Sequence, residues 1–244
     1  MSVRVDAAPA MAELAAVFAD RTRASMCVAL LDGRAWTAGE LARYAGVARS
    51  TATEHLNLLV AAGVLAEERQ GRHRYLRLAG TDIAELIETL ASHTPPPAER
   101  RHTLRAATTQ AALARARTCY DHIAGALGVA ITDAMTSKDM LSRDDGWTLT
   151  STGLAWLRQV GVDSEALRGT RRPTVRGCLD WTERRPHLAG AAGAAVCGRF
   201  FDTGWIERIG SHRAIRLTAT GETVLRDQLG LDWSTFGGRH GSRD

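Results

Sequence analysis

Between Met11 and Leu78 the apolar positions fall first at helical spacing and then in two short runs that read as strands. Leu14, Val17 and Phe18 predict a helix over Met11 to Ala19, and Met26, Cys27, Leu30 and Leu31 predict another over Arg23 to Leu31, before a turn at Asp32-Gly33-Arg34. Thr37 with Glu40 three residues on has the form of a capping box, in which each side chain satisfies the other's orphan backbone donor, and starts a short helix through Tyr44. Gly46 ends it, since glycine takes the left-handed geometry of a helix stop, and Val47 returns an apolar side chain to the core. The next helix runs from about Arg49 to Ala62, with Ala52, Leu56, Leu59 and Val60 on one side and Arg49, Ser50, Thr53 and Glu54 on the other. Gly63 stops it, and Val64 to Glu68 and His73 to Leu78 flank a turn at Gln70-Gly71. Two helices joined at a glycine and followed by a two-stranded wing form a helix-turn-helix arrangement of the kind that holds duplex DNA. Arg69, Arg72, His73, Arg74 and Arg77 cluster on the wing with no acidic residue among them, as a loop reaching for phosphates requires.

Residues of about 10 to 92 resemble the ArsR/SmtB family of winged-helix bacterial repressors. The resemblance rests on Phe18-Ala-Asp-Arg-Thr-Arg23, Glu40-Leu41-Ala42, Gly46-Val47, the run from Ser50 to His55-Leu56, Leu59, Gly63-Val64-Leu65, and Arg69 to Arg72 before Tyr75. It covers somewhat over a third of the chain and implies a homodimer joined through a first helix near Met11 to Ala19 and a fifth near Thr81 to Ser92. The family's cysteine metal box would fall on Glu40 to Tyr44, which holds no cysteine, and Ala84 stands where the first histidine of its fifth-helix site would be. Neither familiar metal site is present.

The length of 244 residues leaves room for a second domain, and 45% hydrophobic with 24% charged residues is an ordinary globular composition. The formal charge is +4, compatible with a nucleic-acid partner. Residues 1–93, however, carry ten Lys/Arg against eleven Asp/Glu, so the DNA argument rests on the local helix and wing rather than on bulk charge. Four scattered cysteines without a secretory signal read as reduced thiols, and no apolar run approaches the length of a membrane helix. A cytoplasmic protein is expected, with Cys27 a buried structural thiol among apolar neighbours.

Thr94 to Glu99 contains three prolines, cannot continue a helix, and marks a linker over 94–104 between a domain of 1–93 and one of 105–244. Arg100, Arg101, Arg105, Arg115 and Arg117 then suggest a solvated helix face. The C-terminal domain contains an internal duplication with halves of about 115–165 and 174–234. His122-Ile-Ala-Gly-Ala-Leu-Gly128 reappears as His187-Leu-Ala-Gly-Ala-Ala-Gly193, Leu149-Thr-Ser-Thr-Gly153 as Leu217-Thr-Ala-Thr-Gly221, and Gly161-Val-Asp163 as Gly230-Leu-Asp232. Each copy is preceded by Cys-x-Asp, at Cys119 to Asp121 and Cys178 to Asp180. The stretch from Gly204 to Leu217 reads like another wing. Two related helix-rich halves about a pseudo-twofold axis are expected, with Gly125, Gly128, Gly190 and Gly193 permitting close approach near it.

Cys119 and His122 lie three apart, as on one helical face, and the repeat supplies Cys178 and His187. Three readings are open. The matched residues are helix caps and core hydrogen-bonding groups copied twice; or they bind zinc or another thiophilic metal; or the domain senses thiol chemistry or an organic ligand in a pocket lined by Trp147, Trp156, Trp181 or Trp205. Catalysis is not expected: there is no Gly-rich phosphate loop and no G-x-S-x-G elbow. The chain thus reads as mainly α with small β wings, an N-terminal winged helix-turn-helix domain followed by a duplicated C-terminal domain. The expected function is that of a sequence-specific, dimeric repressor of transcription on double-stranded DNA, modulated by a small-molecule or metal effector; the alternative is an unregulated, architectural DNA binder. Arg49, Ser50 and Glu54 are candidates for base edges, and Thr51, Thr53, His55, Arg69, Arg72, His73 and Arg74 for phosphates.

Overall fold

Polar side chains at Asp20 and Thr37 cap two of the first four helices. α1 spans Ala8–Phe18 and α2 Arg21–Ala29, the second started by Asp20, whose carboxylate accepts from the Arg23 amide at 2.9 Å. After a 3-10 turn at Leu30–Asp32 comes β1 (Trp36–Thr37), and Thr37 caps α3 (Ala38–Ala45). The capping box is complete: the Glu40 amide donates to the Thr37 hydroxyl at 3.3 Å and the Thr37 amide to the Glu40 carboxylate at 2.7 Å. Gly46 closes α3 at φ 68°, and α4 follows over Arg49–Ala61. β2 (Leu65–Gln70) and β3 (His73–Leu78) pair antiparallel, from Leu65 opposite Leu78 to Gln70 opposite His73, and β1 adds to the free edge of β3. α5 runs over Thr81–Ser92. Met26, Leu30, Leu41, Leu56, Leu59, Leu76 and Leu78 are almost wholly withdrawn from water. Each such burial contributes about 1.5–3 kcal/mol of transfer free energy, which is what binds these short elements into one body.

The computed structural model describes residues 7–71, 73–94, 104–144, 146–169, 172–210 and 213–233. The chain divides into two compact units, Met1–Glu88 and Thr89–Asp244, the division falling inside α5. Residues 95–103 of the expected linker lie outside the described residues.

The second unit opens with α6 (Leu104–Arg115) and then runs twice through the order hairpin, helix, hairpin, helix. The first pass is β4 (Arg117–Cys119), β5 (His122–Ala124), α7 (Gly125–Ser137), β6 (Leu141–Ser142), β7 (Thr148–Leu149) and α8 (Ser151–Gln159). The second is β8 (Arg176–Leu179), β9 (Pro186–Ala189), α9 (Gly190–Asp202), β10 (Ile206–Arg208), β11 (Ile215–Leu217) and α10 (Ala219–Leu229). The repeated Leu-Thr-x-x-Gly has a structural reason: Thr150 and Thr218 cap α8 and α10, each accepting from the glycine amide at 3.1 Å.

The halves interlock. α7 packs on β9 and α9 on β5, so each half's first helix covers the other half's first hairpin. Gly128 and Gly193 allow this, because a Cβ at either would press on a backbone carbonyl and reach the Cβ of His187 at 3.5 Å or of His122 at 3.3 Å. Gly125 and Gly190 start their helices at φ 76° and 81°, where a side chain would be strained. The Leu188 amide of β9 donates to the Thr132 hydroxyl of α7 at 2.8 Å. Leu127, Ile131, Met135, Leu157, Val196, Phe200 and Leu225 fill the shared core. Among the described residues no helix is long and apolar enough to cross a membrane.

Candidate functional site

On α4 the buried stripe of Ala52, Leu56 and Leu59 fixes the rotation of the helix and turns Arg49, Ser50, Thr53 and Glu54 to solvent. Ala48 supplies no side-chain cap, so the first-turn amides keep their donors for an outside acceptor. Thr51 is half-buried, and the Thr53 hydroxyl donates back to the Arg49 carbonyl at 2.9 Å. On the wing Arg69 is well exposed, and His73 is exposed with its ring 6.2 Å from that of Tyr75. Arg72 lies outside the described residues.

Two residues of this surface differ from expectation. His55 is largely buried, with Nδ1 3.7 Å from the Asp20 carboxylate at the start of α2. Arg74 is likewise engaged: Nε donates to Glu67 at 2.7 Å and Nη1 to Asn57 at 2.8 Å. Glu67 therefore belongs to the wing, and the cluster of positive charge there is less one-sided than the arginines alone suggest. Cys27 is fully buried and burial pushes its thiol up to about 12, as a structural cysteine requires.

In the second unit the four repeated donors meet. Cys119 and His122 are not on a helix but are direct cross-strand partners of the β4–β5 hairpin, and Cys178 and His187 occupy the same register in β8–β9. A spacing of three fits both a helical face and the two ends of a two-residue turn; here the turn is Tyr120-Asp121, with Tyr120 at φ 55°. One donor atom from each residue lies within 4.8 Å of all the others, and all four side chains are buried. His122 Nε2 is 3.1 Å from His187 Nε2, and the two Sγ atoms are 4.0 Å apart, far beyond the roughly 2.05 Å of a disulfide.

Each histidine has a carboxylate on its other nitrogen. Asp121 lies 3.3 Å from His122 Nδ1, and Asp180 lies 3.5 Å from His187 Nδ1, within ion-pair range though not aligned as a hydrogen bond. Asp180 is wholly buried; its Oδ2 accepts from Arg117 at 2.9 Å and from the Gly125 amide at 2.7 Å, and its Oδ1 accepts from the Thr182 amide and hydroxyl and the Glu183 amide. Burial alone would raise this carboxyl, but the Arg117 guanidinium, His187 and these donors hold it well below the usual carboxylate range. Asp121 is partly exposed and paired with Arg172, and its carboxyl is also lowered, burial being outweighed by His122 and Arg172. Burial is the largest influence on His187 and lowers it, favouring neutral imidazole. Contact with the Cys119 sulfur, against desolvation and helped by both histidines, draws the Cys178 thiol far down. By contrast, burial pushes Cys197 up to about 12.

Arg117 corrects the expectation of a solvated basic face: it is fully buried, its guanidinium held by Asp180, Thr182 and the Leu113 carbonyl and stacked 4.8 Å from the Trp181 ring. The signal for it was in the sequence, since Arg-x-Cys-x-Asp recurs at Arg117 and Arg176. Trp147, Trp156, Trp181 and Trp205 each pack against other protein groups. Trp156 is in the core, Trp147 lies against Gly177 beneath Arg143, Trp205 meets Phe200 edge-on, and Trp181 stacks on Arg117.

Residues 18–68 match the family model described as a helix-turn-helix domain. The chain is 39% identical over 224 residues to the uncharacterised HTH-type transcriptional regulator YdfF of Bacillus subtilis, an alignment covering 91% of this chain and 98% of that one. It is 38% identical over 81 residues to the HTH-type transcriptional regulator CmtR of Mycobacterium tuberculosis, covering 33% of this chain and 68% of that one. Solved structures similar to its first unit include the transcriptional repressor BigR from Xylella fastidiosa (22% identity, TM-score 0.35, 37% of this chain and 92% of that one). Another is the homodimeric winged helix-turn-helix domain of a possible ArsR-family regulator from Mycobacterium bovis (26% identity, TM-score 0.32, 37% of this chain and 86% of that one). The chain belongs to the family of HTH-type transcriptional regulators, and its N-terminal unit carries their helix-turn-helix domain followed by a two-stranded wing.

Proposed function

We propose that the protein is a homodimeric, sequence-specific repressor whose operator affinity is set by an effector bound in the second unit. The observation that carries this is α4, whose buried stripe turns an exposed Arg49, Ser50 and Glu54 outward at a helix N-terminus that carries no side-chain cap. In this reading those three meet base edges, while Thr51, Thr53, Arg69, Arg72 and His73 hold phosphates. Dimerisation through α1 and α5 is supported by their unspent apolar surface: α1 buries none of its residues, Met11 is 70% exposed and Leu90 on α5 is 47% exposed. An effector acts only through different affinities for the DNA-binding and non-binding geometries.

The test is fluorescence anisotropy with duplex taken from upstream of the protein's own gene and with random duplex. Arg49→Ala relaxes the preference for the operator by about 1–3 kcal/mol, whereas Arg69→Ala weakens both duplexes alike and lowers the salt slope by about one. Equal loss of discrimination in both variants would contradict this division of labour.

A further inference from the structure

The donor cluster of the second unit has a chemistry that neither the winged helix nor the repressor reading uses. We propose that Cys119, His122, Cys178 and His187 form a single four-coordinate centre for a thiophilic divalent ion of the zinc class, two donors coming from each half. The inference deepens the effector reading above by naming the ligand class of the second unit, and rests on that reading only for its regulatory consequence.

Three observations converge. The first is shape. A tetrahedral zinc centre with bonds of about 2.3 Å to sulfur and about 2.0 Å to nitrogen has S–S and N–N edges of about 3.8 and 3.3 Å. The cluster offers 4.0 and 3.1 Å, with every donor pair inside 4.8 Å, so closure about an ion needs side-chain shifts of no more than about 1 Å.

The second is the tautomer. The Asp121 carboxylate hydrogen-bonded at His122 Nδ1 favours the proton there and leaves His122 Nε2 as a lone pair, and Asp180 stands 3.5 Å from His187 Nδ1 on the corresponding side of the second ring. The two Nε2 atoms face each other at 3.1 Å, so without an ion they share a single hydrogen bond, whereas an ion beside them takes both as donors. Histidine oriented by carboxylate is also the usual outer support of a metal ligand.

The third is charge. Two thiolates and two neutral imidazoles neutralise a divalent ion, and each supporting carboxylate already has its own guanidinium, Arg117 for Asp180 and Arg172 for Asp121. A buried site is thus neutral when loaded, which removes the main cost of placing an ion there. The set has four protein donors, as structural or sensing sites do, whereas a catalytic site leaves a position for water. On binding, each thiol that is still protonated gives up its proton to solvent as its sulfur–metal bond forms, with no change of oxidation state.

The test is an optical titration of the full chain, reduced and stripped by chelator, with Co²⁺ and no DNA. One equivalent is expected to give a thiolate-to-metal band in the near ultraviolet and the intense visible bands of a tetrahedral ion, both bleached by one equivalent of Zn²⁺. Cys119→Ser and Cys178→Ser each lose about half of the thiolate band and the double variant loses all of it, whereas Cys27→Ser and Cys197→Ser keep it. A pale six-coordinate spectrum in the wild-type chain, which requires no variant to fold, would overturn the proposal. So would a thiolate band that survives in the Cys119→Ser, Cys178→Ser double variant, or a Cys119–Cys178 disulfide in protein isolated without reductant that takes up no Co²⁺ once reduced. Operator anisotropy with and without Zn²⁺ is read separately, so failure of DNA binding and failure of the metal centre are distinguishable.

Discussion

The β4–β5 and β8–β9 hairpins present the same two donors in the same cross-strand register, yet their surroundings differ. In the first, the chain turns in two residues, and Asp121 is left partly exposed with Arg172 beside it. In the second, the chain makes a longer excursion through Trp181 to Arg185, and Asp180 is sealed inside with Arg117 and the first amide of α7. Register alone therefore fixes where the donors stand, while loop length decides how much water reaches the carboxylate behind them. It follows that the two supports do unequal work. Asp180 ties the halves together, since its guanidinium and helix-terminal partners both come from the first half; Asp121 mainly orients one imidazole.

Arg117→Ala gives the largest separation between the two. It strips a buried carboxylate of its countercharge and is expected to cost about 3–5 kcal/mol in urea unfolding, whereas Arg172→Ala, at a partly wetted pair, costs about 0.5–1 kcal/mol. Equal losses would erase the distinction. Asp121→Asn sharpens it from the other side: the fold survives, but the affinity for Zn²⁺ drops by about tenfold as measured by competition with a chromophoric chelator. The smallest effect concerns a carboxylate outside both hairpins. Hydrogen bonds from Thr37, backbone first and then hydroxyl, hold the exposed Glu40 carboxyl below its ordinary 4.5. A lowered folded-state value means that its stabilisation is complete above pH 4.5 and disappears as pH falls through the lowered value. Glu40→Gln keeps the box but not the charge, so its difference from wild type, about 0.5 kcal/mol at neutral pH, should vanish in acid melts.

The first unit was legible because its signals are local. A threonine and a glutamate three apart, a glycine after an apolar stripe, and two short runs around Gln70-Gly71 each act within a few residues, and the helices and strands stand where those residues place them. The contacts of His55 with Asp20 and of Arg74 with Asn57 could not be read locally, because these partners lie elsewhere in the chain. In the second unit repetition revealed which residues belong together but not their conformation. The interval from Cys119 to His122 suits a helix as well as a tight hairpin, and no Asn-Gly or Asp-Gly marks the turn. Arg117 looked like surface because a run of arginines usually is; its burial depends on Asp180, 63 residues away.

That separation matters for the unfolded chain as well as for the native one. The two sulfurs are 59 residues apart and the two imidazoles 65, so an ion held by all four joins distant points of the polymer as a disulfide would. Closing a loop of that length removes about 4 kcal/mol of chain entropy from the denatured ensemble. Metal loss would then lower the melting temperature of the second unit as a whole instead of softening two hairpins. The contacts that complete the cluster, spanning some sixty residues of sequence, would be among the last to form as the chain folds.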